Sequence, residues 1–158
     1  MESLYKIFIR EAIRLAREGM NKNAGGPFGC VIVKDGHIIS GGYNCVTSTN
    51  DPTAHAEVTA IREACKKLNS FQLNGCTLYT SCEPCPMCLG AIYWARPDRV
   101  VYAASRKDAA HAGFDDEFIY REIPLPPSER KFKLLQLGTE EAVKLFEEWN
   151  AKADKVKY

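Results

Sequence analysis

Apolar residues near the amino end, Leu4, Ile7, Phe8, Ile13, Leu15 and Ala16, recur at helical spacing and predict an amphipathic helix with Gly19 as its stop. Gly25-Gly26-Pro27 is a loop signal. Residues 28–34 and 37–42 then predict two strands, joined by Asp35-Gly36, a dipeptide suited to a tight hairpin turn. The polar residues 44–51 predict a loop. Helical spacing returns at Ala54, Val58, Ile61, Cys65 and Leu68, with Asp51 and Thr53 as caps and Pro52 near the start. Residues 78–81 predict a buried strand. Pro84-Cys85-Pro86 opens a helix that runs to Arg96 and stops before Pro97, and residues 99–103 predict another buried strand. Residues 113–127 carry no clear period. Residues 132–137 predict a last strand, and Thr139 opens a final helix carrying Val143, Phe146 and Trp149. Strands alternating with helices after a hairpin predict an α/β fold with a mixed sheet.

No repeat, low-complexity tract or long linker divides the 158 residues, so one domain over 1–158 is expected. A hydrophobic content of 46% and a charged content of 26% match a globular chain and exclude a disordered one. Such a chain buries about 70% of its unfolded surface and needs no disulfides to hold a core. Lys and Arg total 21 against 20 Asp and Glu, a net charge of +1, with the signs interspersed. That balance argues against a basic stripe for nucleic acid or a polybasic membrane patch. The first residues scatter charges among apolar positions, unlike a signal peptide. The longest apolar run, 89–95, is far short of the roughly 20 residues that span a bilayer. Seven cysteines, at 30, 45, 65, 76, 82, 85 and 88, point to reduced thiols, a metal site or both, and to a cytoplasmic protein.

Two segments carry the chemistry. Thr53-Ala54-His55-Ala56-Glu57 stands at the start of a predicted helix, and Cys82-Glu83-Pro84-Cys85-Pro86-Met87-Cys88 stands where a strand passes into a helix. Zinc takes imidazole and thiolate ligands tetrahedrally, and two cysteines three apart share one helical face. His55, Cys85 and Cys88 give three ligands and leave a fourth position for water, the pattern of a catalytic centre. A helix N-terminus favours thiolate at Cys85, and zinc lowers the pKa of its water to about 7. Glu57 is the candidate to take and return that proton. Residues i and i+2 diverge on a regular helix, so this pairing requires His55 at the helix mouth. The competing reading is a closed structural zinc held by His55, Cys82, Cys85 and Cys88, in a binding module without turnover. It leaves Glu57 without a use, whereas H-x-E with P-C-x-x-C is the zinc deaminase signature.

In these segments the chain resembles the cytidine deaminase-like superfamily and, within it, the short bacterial-type guanine deaminases. The likeness is densest in NDPTAHAEVTAIR, TSCEPCPMCLGAIYWARP and AGFDD, and extends to the C-terminal tyrosine. It implies an α/β/α sandwich with a mixed five-stranded sheet, one zinc per subunit, a homodimer, and hydrolysis of guanine to xanthine and ammonia. It implies His55, Cys85 and Cys88 as zinc ligands and Glu57 as proton shuttle. It further implies substrate contacts at Phe28, Asn44, Ala56, Asp116 and Tyr158, with the tyrosine as a lid. Exchange of the C-terminal segment, about 139–158, between subunits is also part of the family pattern. A guanosine or other aminated-ring deaminase would use the same zinc and shuttle. A tRNA adenosine deaminase shares PTAHAE and PCxMC but must bind a polyanion, against which the near-neutral charge counts.

Overall fold

The computed structural model describes residues 3–158 and divides into two compact units, one up to Asp116 and one of Glu117–Tyr158. The first unit is organised around a strand, β1 (Gly29–Lys34), whose central residues are buried on both faces. Because strand side chains alternate, Cys30 and Ile32 point to one layer and Val31 and Val33 to the other. The hairpin partner β2 (His37–Tyr43) lies antiparallel on one side. On the other side β1 pairs antiparallel with β3 (Cys76–Cys82), which pairs in parallel with β4 (Arg99–Ala104). Asp35 and Gly36, with φ of 50° and 76°, make the expected tight turn.

Helix α1 (Leu4–Asn21) covers one face, packing Phe8 against Val31, Val33 and Tyr79. Helix α3 (Ala56–Leu68) covers the other, and Ala56, Ala60 and Ala64 let it lie close to Cys30, Ile32 and Leu78. Helix α4 (Pro86–Ala95) joins that layer through Ile92 and Ala95. The result is the expected α/β/α order. Gly29 makes it possible, since a Cβ there would stand 2.1 Å from the Ala12 carbonyl oxygen and 2.5 Å from the Ala16 nitrogen.

Several details depart from expectation. The described residues form one sheet of four strands, order β2-β1-β3-β4, not five. Residues 132–137 form no strand: the alternation breaks at Leu134-Leu135, and no other segment of their unit offers a ladder to satisfy their backbone groups. Gly19 does not stop α1. The helix passes through it, because Gly19 faces the Tyr43 ring, which a Cβ would approach to 2.6 Å. A short helix α2 (Val46–Thr49) replaces the expected loop, and the polar α5 (Arg106–His111), capped by Ser105 and Asp108, gave no apolar period to read.

The second unit holds α6 (Glu117–Glu122), a 3₁₀ turn (Pro127–Glu129) and α7 (Thr139–Ala151), none of which buries a residue. The Arg130 guanidinium donates to the Ile123 and Leu125 carbonyls, each at 3.0 Å, holding the chain after the turn to the end of α6. Among the described residues no helix is long and apolar enough to cross a membrane.

Gly29→Ala forces backbone against backbone between β1 and α1, where no side chain can swing aside. It should cost about 1–3 kcal/mol or more of unfolding free energy, read as a lowered denaturant midpoint. An unchanged midpoint would refute the close contact.

Candidate active site

One edge of the sheet gathers the chemistry. Because β1 runs antiparallel to its neighbours, its beginning lies beside the ends of β2 and β3, with Gly29 opposite Tyr43 and Cys30 opposite Thr80. Phe28, Asn44 and the segment after Cys82 therefore leave the sheet at the same edge.

His55 stands at that edge as the residue before α3, in an extended conformation with φ −68° and ψ 157°. Its carbonyl accepts the first turn's hydrogen bond from Thr59 at 2.9 Å. Asp51 does not cap α3; it accepts from the Thr53 backbone and hydroxyl at 2.8 and 2.7 Å and shapes the approach to it. Since His55 is not helical, its ring escapes the helical rotation that would part it from Glu57. Cys85 holds the same position before α4, at φ −66° and ψ 168°, with Pro86 fixing the first helical residue and Cys88 buried one turn in. The two helix starts bring the His55 Nδ1 to 3.5 Å from the Cys85 Sγ and 3.4 Å from the Cys88 Sγ. Tetrahedral zinc at its usual bond lengths holds sulfur and nitrogen about 3.6 Å apart, so the donors already stand at the spacing the ion requires.

The protons on these groups follow the same geometry. Cys85 is held well below an ordinary thiol, chiefly by the Cys88 thiol, then by His55 and the Cys88 backbone N–H at the open helix end. Cys88 is pushed up by the same contact and by burial. His55 is raised, chiefly by Cys85. Cys82 stands apart: burial first, then Glu57, lift it to about 11, and its thiol lies 3.7 Å from the Ser105 carbonyl. Among the described residues the metal-ligating cluster is His55, Cys85 and Cys88, without Cys82.

Glu57, the second residue of α3, is buried beside this cluster. Its Oε1 accepts from the Thr80 hydroxyl at 2.8 Å, and its Oε2 lies 3.3 Å from the Cys88 Sγ. Burial raises the carboxyl above its ordinary value, and the bonds from its own backbone N–H, Thr80 and Cys88 pull the other way.

The residues expected to meet substrate are placed unequally. Asn44 is buried, and its Oδ1 accepts from the backbone N–H of Gly26 at 3.3 Å and of Val46 at 3.1 Å. Gly25 cannot carry a side chain here, since a Cβ would stand 2.0 Å from that oxygen. With the carbonyl so engaged, the amide NH₂ is what Asn44 has left to offer a ligand as a donor. Phe28 meets Phe114 edge-to-face, ring centroids 4.9 Å apart. Ala56 is wholly buried in the core at the first position of α3. Asp116 is raised by burial and by the charge of Cys85. Tyr158 is the last residue of the second unit and is 70% exposed. Two residues escaped sequence reasoning. Phe114 lies within AGFDD, where its ring was the available signal. Thr80 is a hydroxyl in an otherwise apolar buried strand.

Residues 2–104 match the family model described as the cytidine and deoxycytidylate deaminase zinc-binding region. The chain is 59% identical over 154 residues to a guanine deaminase of Bacillus subtilis, covering 98% of this chain and 99% of that one. It is 39% identical over 142 residues to a tRNA-specific adenosine deaminase of Aquifex aeolicus, covering 90% and 91%. The X-ray structure of guanine deaminase from Bacillus subtilis superposes with a TM-score of 0.95 at 58% identity, over 100% of this chain and 99% of that one. Sequence, fold and donor set agree, and the chain belongs to the zinc-binding cytidine and deoxycytidylate deaminase family.

Proposed function

We propose that the protein is a zinc-dependent guanine deaminase, hydrolysing guanine to xanthine and ammonia. The observation that carries this reading is a buried carboxylate, Glu57, beside three zinc donors at coordinating distance, in a chain 59% identical to a guanine deaminase. His55, Cys85 and Cys88 would hold the ion. Bound zinc supplies a Lewis acid that lowers the pKa of a water molecule to about 7.

Everything else is work for the chain's own residues. As water adds to the ring carbon that bears the amino group, the Glu57 carboxylate takes one of its protons and passes it to the adjacent ring nitrogen. It then carries the second proton from the new hydroxyl to the amino group, so that the carbon–nitrogen bond breaks, the carbonyl forms and ammonia leaves. Asn44 offers a donor to the purine edge and Asp116 an acceptor, with Phe28 and Phe114 as aromatic walls. The backbone N–H of Ala56 adds a contact. Keeping water out strengthens these polar interactions.

The working form is a homodimer of one deaminase domain that exchanges its C-terminal segment, so that Tyr158 closes the partner's site. Support comes from unburied apolar surface. A unit of about 40 residues does not sustain a core alone, and Leu135 and Leu137 stand 85% and 86% exposed. On α4 of the first unit, Tyr93 and Trp94 are 75% and 64% exposed. The seven free thiols suit a cytoplasmic setting.

Glu57→Gln should keep one zinc per chain by metal analysis while turnover of guanine falls by about 10²–10⁴-fold; loss of the metal would make Glu57 a ligand instead. In an ammonia-release panel guanine should outrun guanosine and adenosine-containing tRNA, and a faster nucleoside or tRNA would move the substrate elsewhere. Deleting residues 152–158 should leave folding and zinc intact and cut activity strongly. Mixing that truncation with Glu57→Gln should restore turnover, because one chain's tail then covers the other's intact Glu57. Loss without rescue, despite demonstrated subunit exchange, would place the lid within its own chain.

A further inference from the structure

Thr80 occupies an anomalous position. Cys76, Leu78, Thr80 and Cys82 alternate onto one face of β3, where Cys76 and Leu78 belong to the core cluster with Cys30 of β1, Ala60 of α3 and Ile92 of α4. Thr80 is wholly buried there, on a strand laddered on both sides, with Cys30 opposite on β1 and Tyr102 opposite on β4. Valine has nearly the same shape and no hydroxyl to desolvate. A hydroxyl at such a place is costly to desolvate unless it is bonded. Its nearest acceptor is the Glu57 Oε1 at 2.8 Å, and the Gly29 carbonyl lies further off at 3.4 Å. With one proton to give, the hydroxyl gives it to the carboxylate.

Among the described residues, the carboxylate's other hydrogen-bond partners are its own backbone N–H and the Cys88 thiol, the latter through Oε2. A Cys88 that ligates zinc is a thiolate with no proton to donate. Thr80 is then the side chain that still fixes the carboxylate. We propose that Thr80 is a positioning residue for the deamination. Its hydroxyl pins the Glu57 Oε1 against the sheet, so that Oε2 is the oxygen presented to the metal side of the site, where the proton is exchanged. This rests on Glu57 being the proton shuttle. The last side-chain bonds of a glutamate can turn, and the strong bond from Thr80 to one oxygen, added to the bond from Glu57's own backbone N–H, fixes the carboxylate before substrate arrives.

The test compares Thr80→Val and Thr80→Ser in the zinc-loaded enzyme. Thr80→Val should keep one zinc per chain and lower kcat about ten- to a hundredfold, with KM changed by less than about twofold. Thr80→Ser, which keeps the hydroxyl, should restore most of kcat. The infrared carboxylate stretch of Glu57, assigned by its disappearance in Glu57→Gln, should shift in Thr80→Val and return in Thr80→Ser. An unchanged kcat or an unshifted band in Thr80→Val overturns the proposal. So does a loss confined to KM, loss of zinc, or equal loss in Thr80→Ser. If Glu57→Gln itself stays active, the shuttle reading has failed. If Glu57→Gln is dead while Thr80→Val is normal, only the role of Thr80 has.

Discussion

Three donor atoms from chain segments 30 residues apart must meet within a few ångströms, and this constraint orders the first unit. The solution is to set two helix starts at one edge of a sheet. In each, the residue before the first helical turn keeps an extended backbone: His55 before α3 and Cys85 before α4. Extended backbone frees those side chains from the helical rotation. The open N–H groups of the first turn favour negative charge on Cys85. Cys88, one turn into α4, supplies the third donor on the same face.

Around that meeting point the sheet imposes depth. Antiparallel pairing of β1 brings Phe28, Asn44 and Thr80 to the edge where α3 and α4 begin. The alanine row of α3 lets Glu57 sit low, against β3, where the carboxylate is desolvated and its bonds are correspondingly strong. Burial raises the Glu57 carboxyl, and its hydrogen bonds pull the other way.

Much of this was legible in the sequence. The Asp35-Gly36 turn, the two long helices flanking the sheet and the four paired strands followed from period and turn chemistry. The metal donors and Glu57 followed from H-x-E and P-C-x-x-C. What could not be read were interactions between distant segments. Gly19 reads as a stop, but only the Tyr43 ring reveals it as a close approach. Residues 132–137 have the composition of a strand, yet a strand exists only with a partner. Thr80 looks like one more β-branched strand residue until its hydroxyl meets a carboxylate 23 positions earlier.

An open centre would offer the ion one imidazole, two thiolates and a position for the reacting water. X-ray absorption at the zinc edge of the purified, zinc-loaded protein tests it most directly. The spectrum should show two sulfur scatterers at about 2.3 Å and two nitrogen or oxygen scatterers at about 2.0–2.1 Å. Three sulfurs and a single light atom would bring Cys82 onto the ion, close the site, and contradict it.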